Sequence, residues 1–353
     1  MSSRQAQWLE HIMAQVVLPK SNIEMNDNNI YDLIIVGGGP CGLACGIAAA
    51  KENLNYLIIE KGSLTESIRK YPKNMTFFST AANIAIGDVP FAASDRKANR
   101  VEALQYYRAV TEYYGLQIQL YTEVTDIQKQ GEVFEVQTAH NETLFAQNVV
   151  MATGYFDLPR PLNIEGENLP HVTHYYEEAF QYVHQKVVMV GGGNSAVEAA
   201  LDLYHHGVDL TMVVRKEDFK KTAKYWLIPD LRNRIKEGKI KVKFQTEIQK
   251  IEKDGVWLLN NETNTLEKYP ANFVILLVGY TPDGHFLQKI GMNLNERMVP
   301  EFDPETYETN VPGLYVAGTV LCGIHTEKIF IENGRHHGTN IVEHIKSKAL
   351  IHK

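Results

Sequence analysis

The chain has 353 residues, of which 44% are hydrophobic and 22% charged, and its formal net charge is −7 at pH 7. The length suits two domains, and the composition is ordinary for a globular protein. The negative balance argues against a nucleic-acid partner, and three cysteines are too few for a secreted disulfide framework. We therefore expect a reducing, cytoplasmic setting.

The first 27 residues are predicted to form an N-terminal tail. Their apolar stretch is short and interrupted, unlike the core of an export signal. Elsewhere the sequence has no stretch that approaches the roughly 20 apolar residues of a membrane span. We expect no membrane partner.

The stretch "YDLIIVGGGPCGLACGIAAAKENLNYLIIEKG" is predicted to be a strand, a turn, a helix and a second strand. Gly37, Gly39 and Gly42 give G-x-G-x-x-G at the turn. In this motif the glycines allow a tight bend, close approach to a pyrophosphate and close packing of helix on strand. Glu60 ends the second strand, where an acid binds ribose hydroxyls. The stretch predicts a dinucleotide site, and an ordinary turn with surplus glycine is the alternative.

A second copy, "QKVVMVGGGNSAVEAALDLYHHGVDLTMVVRK", repeats this pattern with the charge reversed. Gly191, Gly193 and Ala196 give G-x-G-x-x-A, an accepted variant of the motif. The next strand ends in Arg215 and Lys216 instead of an acid. Arginine binds a 2′-phosphate through charge-assisted hydrogen bonds, whereas a carboxylate would repel it. The pattern favours NADP over NAD, and a solvated basic loop is the alternative.

More polar residues surround the second loop. Asn194 and Ser195, at the start of the helix, can offer extra hydrogen bonds, and Lys220, Lys221 and Lys224 add positive charge. Two such loops in one chain predict two bound dinucleotides. The acid in one copy and the basic residues in the other predict FAD in the first domain and NADPH in the second.

The predicted fold class is α/β, with two Rossmann-like dinucleotide-binding domains and the NADPH domain inserted in a discontinuous FAD domain. Residues 28–158 and 275–353 are assigned to the FAD domain and residues 159–274 to the NADPH domain. Between the loops, alternating apolar residues with turn signals predict an antiparallel meander. Near the C-terminus, residues 325–349 are predicted to be one helix capped by Thr326.

The chain resembles the two-dinucleotide-binding flavoproteins, which include thioredoxin reductases, glutathione reductases and flavin monooxygenases. More specifically, it is similar to the bacillithiol disulfide reductase family. The similar stretches, which span most of residues 31–340, are "VGGGPCGLA", "IIEKG", "YPKNMTFFSTAANIAIGDVPF", "ATGYFDLP", "GGGNSAVEAAL" and "IFIENGRHHG". This resemblance implies an FAD-dependent NADPH oxidoreductase that reduces a low-molecular-weight thiol disulfide, such as bacillithiol disulfide.

The resemblance also implies which residues bind each cofactor. The FAD contacts would be Gly37, Gly38, Gly39, Pro40, Gly42, Glu60, Lys61, Thr153, Gly154 and Gly318, with the backbone around Ile329 facing the flavin ring. The NADPH contacts would be Gly191, Gly193, Asn194, Ser195, Arg215 and Lys216. One position departs from the superfamily, which usually reads "AGD", because Thr319 follows Gly318. The flavin contact of that Asp could be lost, made by the hydroxyl or supplied through water.

The cysteines exclude one known route of electron transfer. The stretch before the second glycine loop contains no C-x-x-C, so the dithiol relay of thioredoxin reductases is missing. Cys41 and Cys45 are predicted to lie on the first helix at i and i+4, where an intact helix disfavours a disulfide between them. Cys45 is predicted to be a buried filler.

Cys41 is the candidate catalytic residue. Its place in the first helical turn can lower a thiol pKa, which would suit a mixed disulfide with the substrate. The alternative is a small residue packed against the pyrophosphate.

Other functions stay open from the sequence. They are a flavin monooxygenase, a ferredoxin or flavodoxin–NADP reductase, and a non-catalytic flavin redox sensor. The sequence has no metal-binding spacing of Cys or His, so no metal site is predicted. We expect a small-molecule disulfide as the partner and a homo-oligomeric assembly.

Overall fold

The computed structural model describes residues 30–221, 223–325 and 328–351. The predicted tail, residues 1–27, and the predicted helix cap Thr326 lie outside these residues. Two α/β lobes make up the described chain after Ile30. The first lobe comprises residues 31–157 and 282–351, and the second comprises residues 160–279.

Short strands and helices alternate along the chain. The strands are β1 (Ile30–Val36), β2 (Tyr56–Ile59), β3 (Ile118–Gln119), β4 (Val124–Gln130), β5 (Val133–Thr138), β6 (Thr143–Met151), β7 (Leu158–Pro159), β8 (Val172–Thr173), β9 (Lys186–Val190), β10 (Asp209–Val214), β11 (Lys241–Phe244), β12 (Thr246–Glu252), β13 (Gly255–Asn260), β14 (Thr265–Pro270), β15 (Phe273–Leu276), β16 (Tyr280–Thr281) and β17 (Leu314–Val316). The α-helices are α1 (Pro40–Lys51), α2 (Glu66–Arg69), α3 (Ala81–Ile84), α4 (Arg100–Tyr114), α5 (Asn194–His205), α6 (Ile228–Lys236), α7 (Gly284–Lys289), α8 (Ile331–Gly334) and α9 (His337–Ile351). Two short 3₁₀ helices cover Phe180–Tyr182 and Gly318–Cys322.

The first lobe is built on a seven-stranded sheet of order β3-β2-β1-β6-β5-β4, in which β17 also pairs with β6. β1, β2 and β3 are parallel, and β4, β5 and β6 run antiparallel. The turns beside β5 contain Gly131 at a φ of +64° and Asn141 at +59°. The predicted meander is therefore confirmed, with a turn on each side of β5.

The second lobe is built on a parallel sheet of order β11-β10-β9-β15-β8. The antiparallel strands β12, β13 and β14 form a separate sheet that shares a buried cluster with β9 and β10. Each lobe thus has a parallel strand–helix–strand start, and the predicted mixed α/β fold with two Rossmann-like sheets is confirmed.

The chain passes between the lobes through β7 and β16, which pair antiparallel. The boundary predicted between residues 274 and 275 falls inside β15, which pairs with β9 of the second sheet. We therefore place the return to the first lobe after β16. The strand misled the prediction because its apolar run suits either buried sheet equally well.

The C-terminal segment contains two helices instead of one. α8 and α9 replace the single helix predicted over residues 325–349, and they start six and twelve residues later, at 331 and 337. α9 packs closely on α1, because a Cβ built on Gly338 would lie 2.6 Å from the Cα of Cys45. This packing brings the end of the chain to the first glycine loop.

Candidate active site

The first glycine loop joins β1 to α1 and is open on one side. Gly37 has a φ of +115°, and a Cβ built on it would lie 2.5 Å from the oxygen of Ala152, so only glycine fits this bend. A Cβ on Gly42 would lie 1.9 Å from Gly37 O, whereas one on Gly39 would meet no atom within 4 Å. Pro40 begins α1, where a missing N–H costs nothing. The open side at a helix N-terminus fits the pyrophosphate of a dinucleotide.

Glu60 holds this loop from the end of β2. Its carboxylate accepts hydrogen bonds from the backbone N–H of Gly38 at 2.6 Å and of Gly62 at 2.8 Å. The side chain is buried, and burial raises the pKa of its carboxyl group. The neighbouring Lys61 forms an ion pair of 3.0 Å with Asp157. The sequence spacing predicts a ribose-binding acid, but it did not reveal that Glu60 braces the loop.

Cys41 is packed against backbone from the far end of the chain. A Cβ built on Gly318 would lie 2.9 Å from Cys41 Sγ, and one on Gly334 would lie 2.7 Å from it. Cys41 is 7% exposed, and burial raises the pKa of its thiol to about 12, with a smaller contribution from Cys322. The expected lowering of this pKa by the helix N-terminus is therefore wrong in this structure, because desolvation disfavours the thiolate.

Cys45 lies on the same helix and is fully buried. The three cysteines are free thiols, so Cys41 and Cys45 are not bonded to each other. The predicted burial of Cys45 is confirmed. The regular α-helical backbone holds the two side chains, at i and i+4, too far apart for a bond.

A buried histidine supports Gly318. Its ring nitrogen Nδ1 accepts a hydrogen bond of 3.1 Å from the N–H of Gly318, and the ring of His337 stacks on Tyr307 at a centroid distance of 4.2 Å. Burial, assisted by the neighbouring His336, lowers the pKa of His337 to about 4. His337 is therefore neutral at physiological pH and acts as an acceptor. The sequence offered no signal for this contact, which joins residues 19 positions apart.

Two further predicted segments border the loop. A Cβ on Gly37 would lie 3.2 Å from the backbone nitrogen of Thr153, and one on Gly154 would lie 3.3 Å from Thr319 Oγ1. The hydroxyl of Thr319 thus faces the "ATG" turn at Gly154. The side chain of Ile329 approaches Gly334, since a Cβ there would lie 3.6 Å from Ile329 Cγ2.

These contacts bring distant parts of the sequence together. Residues 37–42, 153–154, 318–319 and 329–334 lie against one another around the first loop. These residues, which the resemblance assigns to FAD, are therefore neighbours in space.

The second glycine loop joins β9 to α5 with the same geometry. Gly191 has a φ of +146°, and a Cβ on it would lie 2.5 Å from Leu277 O. Ala196 is fully buried where α5 packs on the sheet, as the third position of the motif requires. A Cβ on Gly193 would approach only Lys220 Cδ, at 3.6 Å. This loop also leaves space for a pyrophosphate.

The predicted polar residues of the second loop differ in whether their side chains are free to contact a ligand. Asn194 and Ser195 begin α5, and Asn194 Oδ1 accepts a hydrogen bond of 2.7 Å from the backbone N–H of Lys224. Ser195 is exposed. Lys220 and Lys221 are exposed as well.

Arg215 and Lys216 follow β10 and lie on the surface. The Arg215 side chain is 71% exposed, and its only ion pair among the described residues is a loose one of 3.9 Å with Glu247. Its guanidinium group is therefore available to an anion. The ammonium group of Lys224 is not available to an anion, because its side chain is 4% exposed and forms an ion pair with Glu198. The positive charge that Lys224 was predicted to add near the loop is therefore paired with Glu198.

Within residues 30–221, 223–325 and 328–351, no helix has both the length and the apolar composition needed to cross a bilayer. The same residues contain no group of three or more His, Cys, Asp or Glu side chains arranged to hold a metal ion.

Comparison with known proteins gives consistent relatives. Residues 34–318 match the family described as pyridine nucleotide-disulphide oxidoreductase. Bacilliredoxin reductase Bdr of Bacillus subtilis (strain 168) is 37% identical over 317 residues, which cover 89% of this chain and 97% of the relative. The sequence similarity extends through both lobes.

Solved structures agree with this finding. The structure of bacillithiol disulfide reductase Bdr (YpdA) from Staphylococcus aureus has a TM-score of 0.87 at 36% identity and covers 91% of this chain and 99% of its own. Lactococcus lactis thioredoxin reductase in its FR conformation has a TM-score of 0.73 at 20% identity, with the same coverage of 91% and 99%. At that identity the second similarity shows the fold alone.

Proposed function

Because this chain belongs to the pyridine nucleotide-disulphide oxidoreductase family, we propose that it is an FAD-dependent NADPH oxidoreductase that reduces bacillithiol disulfide or a similar thiol disulfide. The observation that carries the proposal is the pair of open glycine loops in one chain, at Gly39 and Gly193. The loop beside the buried Glu60 suits an unphosphorylated ribose. The loop beside the exposed Arg215 suits a 2′-phosphate.

The first lobe would hold FAD. Gly37, Gly39 and the start of α1 would bind the pyrophosphate, Glu60 would accept hydrogen bonds from the ribose, and the backbone near Ile329 would face the flavin ring. When bound, FAD supplies two-electron chemistry, in which a hydride from NADPH and a proton convert one disulfide into two thiols. The residues of the first lobe would orient the ring.

The second lobe would hold NADPH. Its pyrophosphate would lie on the loop from Gly191 to Gly193, at the N-terminus of α5. Arg215 and Lys216 would contact the 2′-phosphate, and both side chains are exposed at the end of β10. Asn194 and Ser195 would give further hydrogen bonds.

The electron acceptor is proposed from the relatives. The S. aureus relative is named a bacillithiol disulfide reductase, and the B. subtilis relative is named a bacilliredoxin reductase. The small disulfide is our first candidate, and a bacilliredoxin is the second. Since the sequence has no C-x-x-C, electrons would reach either acceptor without a dithiol relay.

Cys41 is proposed as the residue that forms a mixed disulfide with the acceptor. In the present packing Cys41 Sγ lies close to Gly334 at the end of α8. Attack by this sulfur therefore requires α8 to move away. The three other candidate functions, namely monooxygenase, ferredoxin or flavodoxin reductase and redox sensor, are supported no better by the relatives.

The proposal is tested by an acceptor screen. Purified protein would be loaded with FAD and mixed with NADPH under anaerobic conditions, with bacillithiol disulfide, an oxidised bacilliredoxin or ferredoxin as acceptor. We expect one NADP⁺ for each disulfide reduced and a much slower reaction with oxygen alone. A protein that is purified without flavin and does not bind added FAD would contradict the proposal.

Two further properties belong to the proposal. We propose a cytoplasmic location, which three free thiols suit. We also propose a homo-oligomer, to be measured by light scattering during size-exclusion chromatography.

A further inference from the structure

Lys224 joins the two lobes through a buried charge. It belongs to the segment after β10, residues 217–226, which is described except at position 222. Its ammonium group forms an ion pair with Glu198 of α5 and donates a hydrogen bond of 2.7 Å to the backbone oxygen of Thr76 in the first lobe. A lysine that is 4% exposed needs such partners, because an unpaired buried charge is costly.

The same segment also holds the second glycine loop. The backbone N–H of Lys224 donates to Asn194 Oδ1 at 2.7 Å, and that of Lys220 donates to Gly192 O at 2.9 Å. One residue therefore contacts the proposed NADPH loop with its backbone and the first lobe with its side chain. A movement of the second glycine loop is therefore transmitted through Lys224 to its contact with the first lobe, and the reverse.

Aromatic side chains surround this contact. Trp226 lies 5.3 Å from Phe78 between ring centroids, and Lys97 Nζ of the first lobe lies 3.2 Å from the Trp226 centroid. Phe78 in turn lies parallel to Phe330 at 6.5 Å. Phe330 follows Ile329, so the contact between the lobes lies beside the segment proposed to face the flavin.

The covalent connection alone does not fix the orientation of the lobes. Only two passes of the chain join them, β7 and β16, and each is two residues long. So short a ladder leaves rotation about the connection open, and contacts distant from it must select one orientation. Lys224 is the buried charged residue at such a contact.

We propose that Lys224 is a positioning residue that holds the second lobe against the first in the orientation that presents the NADPH loop to the flavin-facing segment. This inference rests on the proposed function. Lys224 touches neither cofactor in this role. It acts through Thr76 and Asn194, and it determines how often the lobes adopt the orientation for hydride transfer.

The test uses a double variant, Lys224→Met with Glu198→Gln, in the full chain loaded with FAD. Removing both charges avoids an unpaired buried carboxylate and keeps the side-chain volumes similar. Lys236→Met is the control, because Lys236 is an exposed lysine of the same lobe at the end of α6. The melting temperature of each variant is measured first, to show that it is folded.

The first readout does not depend on activity. Amide hydrogen exchange is followed in peptides from residues 71–80 and 217–226, which lie on the two sides of the contact. We expect faster exchange in both peptides for the double variant and none of this change for Lys236→Met. The affinity for NADP⁺, measured by calorimetry, should stay within about twofold, since the backbone bonds to the NADPH loop are kept.

The second readout is flavin reduction by NADPH without any acceptor. We expect the rate at saturating NADPH to fall about tenfold, the scale of one hydrogen bond from a charged donor. A folded double variant with unchanged exchange and an unchanged rate overturns the inference. Failure of the proposed function looks different, because the unaltered protein would then not reduce its flavin with NADPH at all.

Discussion

The two glycine loops share a motif, yet the chain surrounds them differently. The first loop is enclosed by segments from four parts of the sequence, including Gly318 and Gly334 packed on Cys41. The second loop is bordered mainly by its own lobe, through Lys220 and the backbone of Lys224. Distant segments thus border the first turn, whereas neighbouring residues border the second.

Under the proposed function, the same backbone geometry would serve two kinds of ligand. A loop enclosed by distant segments releases its ligand only if those segments separate, which suits a cofactor that stays bound. A loop bordered by one exposed segment suits a cosubstrate that exchanges in every turnover. We expect FAD to survive purification and NADP⁺ to be lost.

The largest effects are expected when the glycine on the open side of each loop, Gly39 or Gly193, is replaced by valine. Gly39→Val should yield protein without flavin, because the new side chain occupies the space left for the pyrophosphate and strains no backbone, at a φ of −75°. The matched change Gly193→Val should keep flavin and abolish NADPH binding. Flavin absorbance and NADP⁺ calorimetry measure the two effects, with circular dichroism as the control for folding. Loss of flavin from both variants would break the comparison.

Replacing Cys41 tests whether its thiol, beside the first loop, takes part in disulfide reduction. If Cys41 forms the mixed disulfide, Cys41→Ala should keep FAD and lose disulfide-dependent turnover by about 10³-fold or more, as expected for a lost nucleophile. Slow oxidation of NADPH by oxygen should persist. Cys45→Ala is the control and should cost stability only. Near-full turnover of Cys41→Ala would make its thiol a packing group.

The pH dependence sharpens this test. Because burial raises the pKa of the Cys41 thiol to about 12, the thiolate fraction should grow about tenfold for each pH unit between pH 7 and 9. If Cys41 attacks from this environment, the disulfide-dependent rate should rise in parallel, measured at saturating NADPH. A flat profile would show that the sulfur reacts only after leaving its site between Gly318 and Gly334.

Reversing the charge at Arg215 tests the accessible loop. Arg215→Glu should weaken NADPH by about 10–150-fold, the value of one charge-assisted contact, and should affect NADH much less. Lys236→Glu makes the same change of charge at an exposed position on another element, the end of α6, and should leave the affinities for NADPH and NADH unchanged. Kinetic constants for the two cofactors give the measurement. An equal loss for NADPH and NADH would show that Arg215 does not contact the 2′-phosphate.

The smallest expected effect concerns His337 behind the first loop. The pKa of His337 is about 4 in the folded chain and about 6.5 in the unfolded chain. Between pH 4 and 6.5 the unfolded state therefore binds one more proton, on this ring, than the folded state. Stability should therefore fall as the pH falls from 6.5 to 4, by on the order of 3 kcal/mol for this group. His337→Gln should flatten that dependence in urea unfolding, whereas His285→Gln, at an exposed position, should not.

The sequence predicted the parts of the molecule that local patterns determine. Both strand–turn–helix starts, the meander and the resemblance to disulfide reductases are confirmed. Each depends on residues close together in the chain, such as Gly37 to Gly42. The assignments of cofactor contacts to individual residues remain predictions.

What the sequence did not reveal depends on contacts between distant segments. Burial of Cys41 comes from Gly318 and Gly334, and burial of Lys224 comes from Glu198 and Thr76. Burial raises the pKa of the Cys41 thiol, opposite to the effect expected from the helix N-terminus. Burial also pairs the Lys224 ammonium group with Glu198 and withdraws it from the surface. No spacing rule predicts such long-range packing.

The paired strands β7 and β16 have a consequence for the history and engineering of the chain. Backbones of paired strands lie about 5 Å apart, so the second lobe enters and leaves the first at nearly one point. Residues 160–279 therefore have the layout of an inserted cassette, whose removal leaves a gap that a very short linker can close. A shortened chain joined from Leu158 to Thr281 would therefore test whether the first lobe folds without the second.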